Sequence, residues 1–143
     1  MIRPLRVGAL ELPSNILQGP LAGYSCAAMR KLVWQYGGAG YCATEMLSAY
    51  SLSQKPRQPS RYVYKDPSEG PLCFQLSGAD PEHLARATER VCALGADMVD
   101  LNCGCPQPKI RKKGHGSRLL SDPEALYRLL SAIKSVSSVP VSV

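Results

Sequence analysis

Five short apolar runs, centred near residues 17, 42, 74, 99 and 141, alternate with stretches of helical periodicity, and two of those stretches open on the same Asp-Pro-Glu tripeptide. The alternation predicts an α/β fold built on a parallel sheet, because parallel neighbours need a crossover element between them. The mean strand spacing of about 31 residues is the size of one unit in an eight-unit barrel of ~250 residues. The chain is therefore expected to form an incomplete TIM (β/α)8 barrel, about its first five βα units. A complete five-stranded open sheet is the alternative; against it, no helix and no cap follow the last strand in this sequence.

Each element has its own signal. Residues 16–18 read as a first strand ending at Gly19-Pro20. Ser25 is a plausible N-cap for a helix whose apolar positions Met29, Leu32, Val33 and Tyr36 fall at i, i+3, i+4 and i+7, and Gly37-Gly38 stops it. Residues 40–44 form a second strand, 45–53 a short helix, and 54–70 a polar loop carrying three prolines. Residues 72–76 (LCFQL) are almost wholly apolar, as in a strand buried on both faces. Asp80-Pro81-Glu82 places an N-cap, a proline at the first helical position and an acid in the first turn. Leu84, Ala87, Val91 and Leu94 line one face of that helix, and Gly95 ends it. A fourth strand at 98–101 leads into a loop at 102–116 rich in Gly, Pro and charge. Asp122-Pro123-Glu124 repeats the helix opening, with Leu126, Leu129, Leu130 and Ile133 as its buried face, and 139–143 begins a fifth strand.

Composition narrows the class. With 45% hydrophobic and 20% charged residues in 143, the chain is neither disordered nor low-complexity. No apolar run approaches the ~18 residues of a membrane span, and the first six residues lack the apolar stretch of a signal peptide. A cytoplasmic protein is expected, with its six cysteines as reduced thiols. Zinc is not expected, since no C-x-x-C occurs and His83 and His115 are the only histidines. The net charge of +6 is local. Lys55, Arg57, Arg61 and Lys65 fall in one acid-free segment, and Lys109, Arg111, Lys112, Lys113 and Arg118 in another. The rest of the chain, eight bases against eleven acids, is net negative. Such clustering suits contact with a polyanion, two solvated loops being the plainer alternative.

Barrel chemistry sits at the C-terminal ends of strands. Those ends read Gly19-Pro20-Leu21-Ala22-Gly23, then Thr44-Glu45-Met46, then Gln75-Leu76-Ser77-Gly78, then Asp100-Leu101-Asn102-Cys103-Gly104-Cys105-Pro106. Polar groups recur at successive ends. Asn102 offers a donor and an acceptor to the edge of a planar heterocycle. Gly104 and Pro106 flank Cys105, one permitting an unusual backbone angle and the other fixing φ, an arrangement suited to aiming a thiol over a barrel mouth. Cys103 lacks the proline and reads as a packing residue; Trp34 and His83 likewise read as structural.

These segments resemble the tRNA-dihydrouridine synthase family. The resemblance is carried by GPLAG (19–23), GAGYCATEMLSA (38–49), QLSG (75–78), DLNCGCP (100–106) and KIRKKGHGSRLL (109–120), and it covers residues 16–143. Gly19 and Leu21 stand where the family usually has Ala and Met. The family's next residue after a strand like 139–143 is usually a flavin-contacting Lys. That Lys, the later strands with the FMN phosphate site and the helical RNA-binding domain lie outside this sequence, so residues 1–143 are expected to be the N-terminal portion of a flavin-binding barrel domain.

The resemblance implies reduction of the uracil C5=C6 bond of tRNA by reduced FMN, with NADPH (or NADH) reducing the flavin and Cys105 giving the proton to C5. A thiol of ordinary pKa, ~8.5, is mostly protonated at neutral pH and suits a general acid. Pro20, Leu21 and Ala22 would set backbone against the isoalloxazine, Gln75 would bond its pyrimidine side, and Asn102 would hold flavin or target uracil. Glu45 either lines the uridine pocket or bonds a neighbouring loop. Arg111, Lys112, Lys113 and Arg118 would meet RNA phosphates in a monomeric enzyme, with His115 either joining them or standing in solvent. Two other readings stay open: a flavin-dependent reductase or dehydrogenase of free pyrimidines, which needs no polycation, and a non-catalytic fragment or RNA-binding remnant.

Overall fold

The computed structural model describes residues 1–54 and 60–143. Lys55 and Arg57, from the first basic segment, lie outside the described residues.

The chain opens on an antiparallel hairpin, β1 (Leu5–Val7) and β2 (Leu10–Leu12), that is not among the expected elements. Its signal is present but short: apolar Leu5, Val7, Leu10 and Leu12 alternate about a Gly8-Ala9 turn, and Gly8 takes a φ of 59°. Val7 and Leu10 pack on Ala43, Cys73 and Met98, so the hairpin closes the end of the sheet opposite the candidate site.

The remaining strands form one parallel sheet. They are β3 (Leu17–Gln18), β4 (Tyr41–Ala43), β5 (Leu47–Ser48), β6 (Leu72–Ser77), β7 (Met98–Leu101) and β8 (Val141–Ser142). The order is β3-β4-β6-β7-β8, with β5 also pairing β6. Successive strands are spatial neighbours, as in one sector of a barrel wall. All six residues of β6 are buried, which agrees with its uninterrupted apolar reading. Among the described residues the helices are α1 (Ala27–Tyr36), α2 (Ala49–Ser53), α3 (Pro81–Ala93) and, past a helical turn α4 (Pro108–Arg111) and a 3₁₀ turn (Gly116–Ser121), α5 (Pro123–Val136). Asp80 and Asp122 cap α3 and α5 by accepting His83 N–H and Ala125 N–H. Leu84, Ala87 and Val91 of α3 join Leu129 and Ile133 of α5 and Phe74, Leu76, Val99 and Leu101 of the sheet in one core.

Several expectations are corrected. Cys26, not Ser25, is the N-cap of α1; the Ser25 hydroxyl is used in the turn before it. The buried face of α1 is not the apolar stripe. Leu32 and Tyr36 are exposed, the latter at 91%, while Arg30 is fully buried. Leu94 at the end of α3 is exposed as well. The stretch 45–53 is helical only from Ala49; before it, β5 continues the edge of β6 begun by β4. Between the pairs Ala43↔Cys73 and Leu47↔Leu76 the first strand carries one residue more than the second, so 44–46 is a bulge. The loop at 102–116 contains the turn α4.

Candidate active site

The site grows out of the strand ends. β6 stops after Gln75, Leu76 and Ser77, and β7 runs out through Asp100 and Leu101 into Asn102. A cavity of about 610 Å³ opens there, lined by Pro20 from the end of β3, by Gln75, Asp100, Asn102, Cys103, Gly104 and Cys105, and by Leu101, Leu120, Leu126 and Val143. Polar groups and an apolar wall share one mouth, the usual composition of a small-molecule site.

The polar groups form a continuous relay. Ser142 Oγ donates to Asp100 Oδ1 at 2.6 Å, and Gln75 Nε2 donates to Asp100 Oδ2 at 2.8 Å. Asn102 Nδ2 donates to Gln75 Oε1 at 2.9 Å, and the Cys105 backbone N–H donates to Asn102 Oδ1 at 3.1 Å. Three adjacent strands and the thiol loop are thereby tied together. Gln75 is buried at 7% exposure, so its amide needs these partners.

Cys105 is held from the other side too. Its carbonyl accepts Ser117 N–H at 3.0 Å. Gly116 lies so close that a Cβ there would stand 2.5 Å from that carbonyl and 3.1 Å from Cys105 Cβ, and its φ is +61°. A glycine is required at that point for both reasons. Cys103, two residues before, is buried in the core with its thiol pushed up to about 11, mainly by burial and then by Asp100. Cys105 is half-buried at the cavity. All six cysteines are free.

The first strand end contributes unevenly. Pro20 lines the cavity, whereas Leu21 and Ala22 are exposed on the turn that follows. That turn is tightly built: Tyr24 and Ser25 N–H donate to Leu21 O, and Leu21 N–H donates to Ser25 Oγ. Glu45 is buried, and its Oε2 accepts Gly23 N–H at 2.7 Å. That is a bond to a neighbouring loop, and Glu45 does not line this cavity. The bulge at 44–46 makes the reach possible, while Thr44 Oγ1 takes over the ladder by accepting Gln75 N–H at 3.2 Å.

Two residues that sequence reasoning passed over organise this turn. Arg30 Nε and Nη2 clasp the Glu69 carboxylate at 2.6 and 3.0 Å, and both side chains are fully buried. Arg30 also donates from Nη1 to Ser25 O and from Nη2 to Tyr64 O. An arginine on an apolar helix carries no mark in the sequence that it points inward; the partner lies 39 residues away.

The second basic segment follows the Cys105 loop in the chain, and Lys113 lines a separate hollow with Asp80, His83 and His115. Lys109, Arg111, Lys112, Lys113 and Arg118 are all exposed, and among the described residues none forms an ion pair. Arg118 belongs to the same 3₁₀ turn as Leu120, which walls the cavity. His115 is half-buried, its Nδ1 3.3 Å from Ser77 Oγ, and burial followed by Lys113 holds its pKa below the usual 6.5. Of the first segment's described cations, Lys65 is bound to Asp97 and Gly95 O, and Arg61 lies over the Tyr62 ring.

A parallel barrel sector with amides, a carboxylate and a thiol at its strand ends defines an α/β-barrel protein of the kind that works at the C-terminal rim. The fold is shared with a histamine dehydrogenase from Rhizobium sp. 4-9, at a TM-score of 0.67 and 13% identity over 96% of this chain and 32% of that one. The family model for dihydrouridine synthase (Dus) matches residues 17–143, and the chain belongs to that family. It is 38% identical over 141 residues to a probable tRNA-dihydrouridine synthase 1 from Synechocystis sp., covering 99% of this chain and 39% of the relative. It is 32% identical to tRNA-dihydrouridine synthase B of Vibrio parahaemolyticus, covering 96% and 42%. The chain thus spans about two fifths of the length of the relatives it matches.

Proposed function

We propose that residues 1–143 are the N-terminal portion of the flavin-binding barrel domain of an FMN-dependent tRNA-dihydrouridine synthase. The observation that carries this reading is the cavity shared by Pro20, Gln75, Asn102 and Cys105, together with membership of the family. The residues suit a flavin and a pyrimidine. Gln75 and Asn102 each keep one N–H and one oxygen lone pair beyond the bonds they make, a pattern that matches the edge of a uracil or isoalloxazine ring. The apolar wall of Leu101, Leu120, Leu126 and Val143 suits ring faces.

Pro20, Gln75 and Asn102 would hold FMN, which when reduced would supply the hydride for C6 of the target uracil, with NADPH or NADH as the source of its electrons. Cys105 then completes the saturation of the C5=C6 bond: its Sγ–H passes a proton to C5, and solvent restores the thiol. The relay from Asp100 to Cys105 keeps the thiol and the ring-binding amides at fixed separation. Arg111, Lys112, Lys113 and Arg118 hold tRNA phosphates beside the mouth, which orients the RNA without reading its sequence. The target base leaves its stack to enter, at a cost of about a few kcal/mol that those contacts offset. Five exposed cations, unpaired among the described residues, favour this substrate over a free pyrimidine. The test is to titrate the protein with FMN and then assay dihydrouridine in tRNA. Flavin uptake with product formation supports the reading; a colourless protein that still binds tRNA leaves only RNA binding.

A further inference from the structure

We infer that Asp100 is a positioning residue: its carboxylate fixes the direction of the amide relay that ends on the Cys105 backbone. This deepens the function proposed above and rests on it for its consequence to flavin and uracil binding. The geometry itself does not.

A carboxylate accepts hydrogen bonds and donates none. Asp100 Oδ2 lies 2.8 Å from the Gln75 amide, so that amide must turn Nε2 toward it. Gln75 Oε1 is then the atom that faces Asn102, so Asn102 must answer with Nδ2. Asn102 Oδ1 is left to face Cys105, and a backbone N–H is what stands there. Asp100, an acceptor-only group at one end, and the Cys105 N–H, a donor-only group at the other, thus agree on one orientation of the two amides between them. The opposite orientation turns Asn102 Nδ2 against the Cys105 N–H, donor to donor. The same choice decides which atoms Gln75 and Asn102 leave for a ligand.

An isosteric Asp100→Asn removes the acceptor-only end of the relay, because an amide at 100 can meet Gln75 with either end, and leaves the Cys105 N–H to hold the orientation alone. The double variant Asp100→Asn/Gln75→Glu moves the carboxylate one place along the relay. A carboxylate at position 75 accepts from both the new amide at 100 and Asn102 Nδ2, so Asn102 again offers Oδ1 to Cys105. Ser142→Ala keeps the Asp100 carboxylate and loses only its second donor.

The experiment measures backbone amide exchange at Cys105 in the full chain without ligand, and FMN binding in parallel. Exchange at Cys105 is expected to quicken about tenfold in Asp100→Asn, from loss of a bond of roughly 1.4 kcal/mol. It is expected to return to the parent rate in the double variant and to stay at that rate in Ser142→Ala. Half-saturation with FMN is expected to rise by about tenfold in Asp100→Asn. Unchanged exchange in Asp100→Asn, or exchange as fast in the double variant as in the single one, overturns the inference. Should Asp100→Asn not fold, parent-like exchange in the double variant supports the inference, and fast exchange there or in Ser142→Ala overturns it. If the parent takes up no FMN, the functional reading fails while the exchange data still decide the role of Asp100.

Discussion

Asn102 Oδ1 accepts the backbone N–H of Cys105 at 3.1 Å, so the amide and the thiol three residues apart move as one unit. Removing either partner has a different consequence. Cys105→Ala keeps the backbone donor and is expected to retain FMN and its reduction by NADPH. It is expected to lose dihydrouridine formation by about 10²–10⁴-fold, the range for a missing general acid. Asn102→Ala leaves the Cys105 N–H and Gln75 Oε1 without their partner. It is expected to cost about 1–3 kcal/mol in stability, read from the urea midpoint, and to weaken FMN binding as well. Normal turnover by Cys105→Ala removes the thiol from the mechanism.

Lys112 and Lys113 are exposed and, among the described residues, unpaired, while Lys65 in the other basic segment is bound to Asp97. Lys112 and Lys113 therefore differ from Lys65 in what they offer a polyanion. Lys112→Glu and Lys113→Glu are each expected to weaken tRNA binding at low salt and to reduce the slope of log K against log salt by about one. Lys65→Ala is expected to leave that slope unchanged. Filter binding across a salt series checks both, and equal slopes for all three variants count against the assignment.

The buried strands and the two Asp-Pro-Glu helices are legible in the sequence because local pattern and burial agree there. Every residue of β6 is both apolar or small in sequence and buried in the fold, apart from Gln75, whose amide is bonded. The catalytic candidates are legible for a related reason: strand ends face the rim, so position along the chain places the side chain. Helix α1 departs from its apolar pattern because tertiary pairing overrides periodicity. Its inward residue is Arg30, and a fourfold-bonded guanidinium with Glu69 satisfies what an apolar stripe is expected to fill. The hairpin at 5–12 escapes a sequence reading because three-residue strands give too few alternations to count. The role of Asp100 is hidden because it depends on Gln75, 25 residues away.

Arg30 and Glu69 make a prediction about stability. A buried bidentate pair loses most when one partner is removed, because the other charge remains without compensation. Arg30→Ala and Glu69→Ala are each expected to destabilise by about 3–5 kcal/mol. Arg30→Lys is expected to rescue little, since an ammonium cannot reach Glu69, Ser25 O and Tyr64 O together. Chemical unfolding monitored by circular dichroism measures this. Because Ser25 O anchors the turn that follows Pro20, Arg30→Lys is also expected to weaken FMN binding in protein that remains folded.

His115 links folding to pH. Burial, and then the charge of Lys113, holds its folded pKa below 6.5, while the unfolded chain keeps the ordinary value. Between the two values the unfolded state binds more protons, so stability rises with pH across that window. The contribution is fully present above the unfolded pKa and is lost as pH falls through the folded one. His115→Asn keeps a polar atom near Ser77 Oγ but cannot titrate. The parent is therefore expected to lose more stability than His115→Asn as pH falls below about 7, with the two curves running parallel above it. Urea midpoints taken across that pH decide it. Identical slopes in the two proteins exclude His115 as the titrating group.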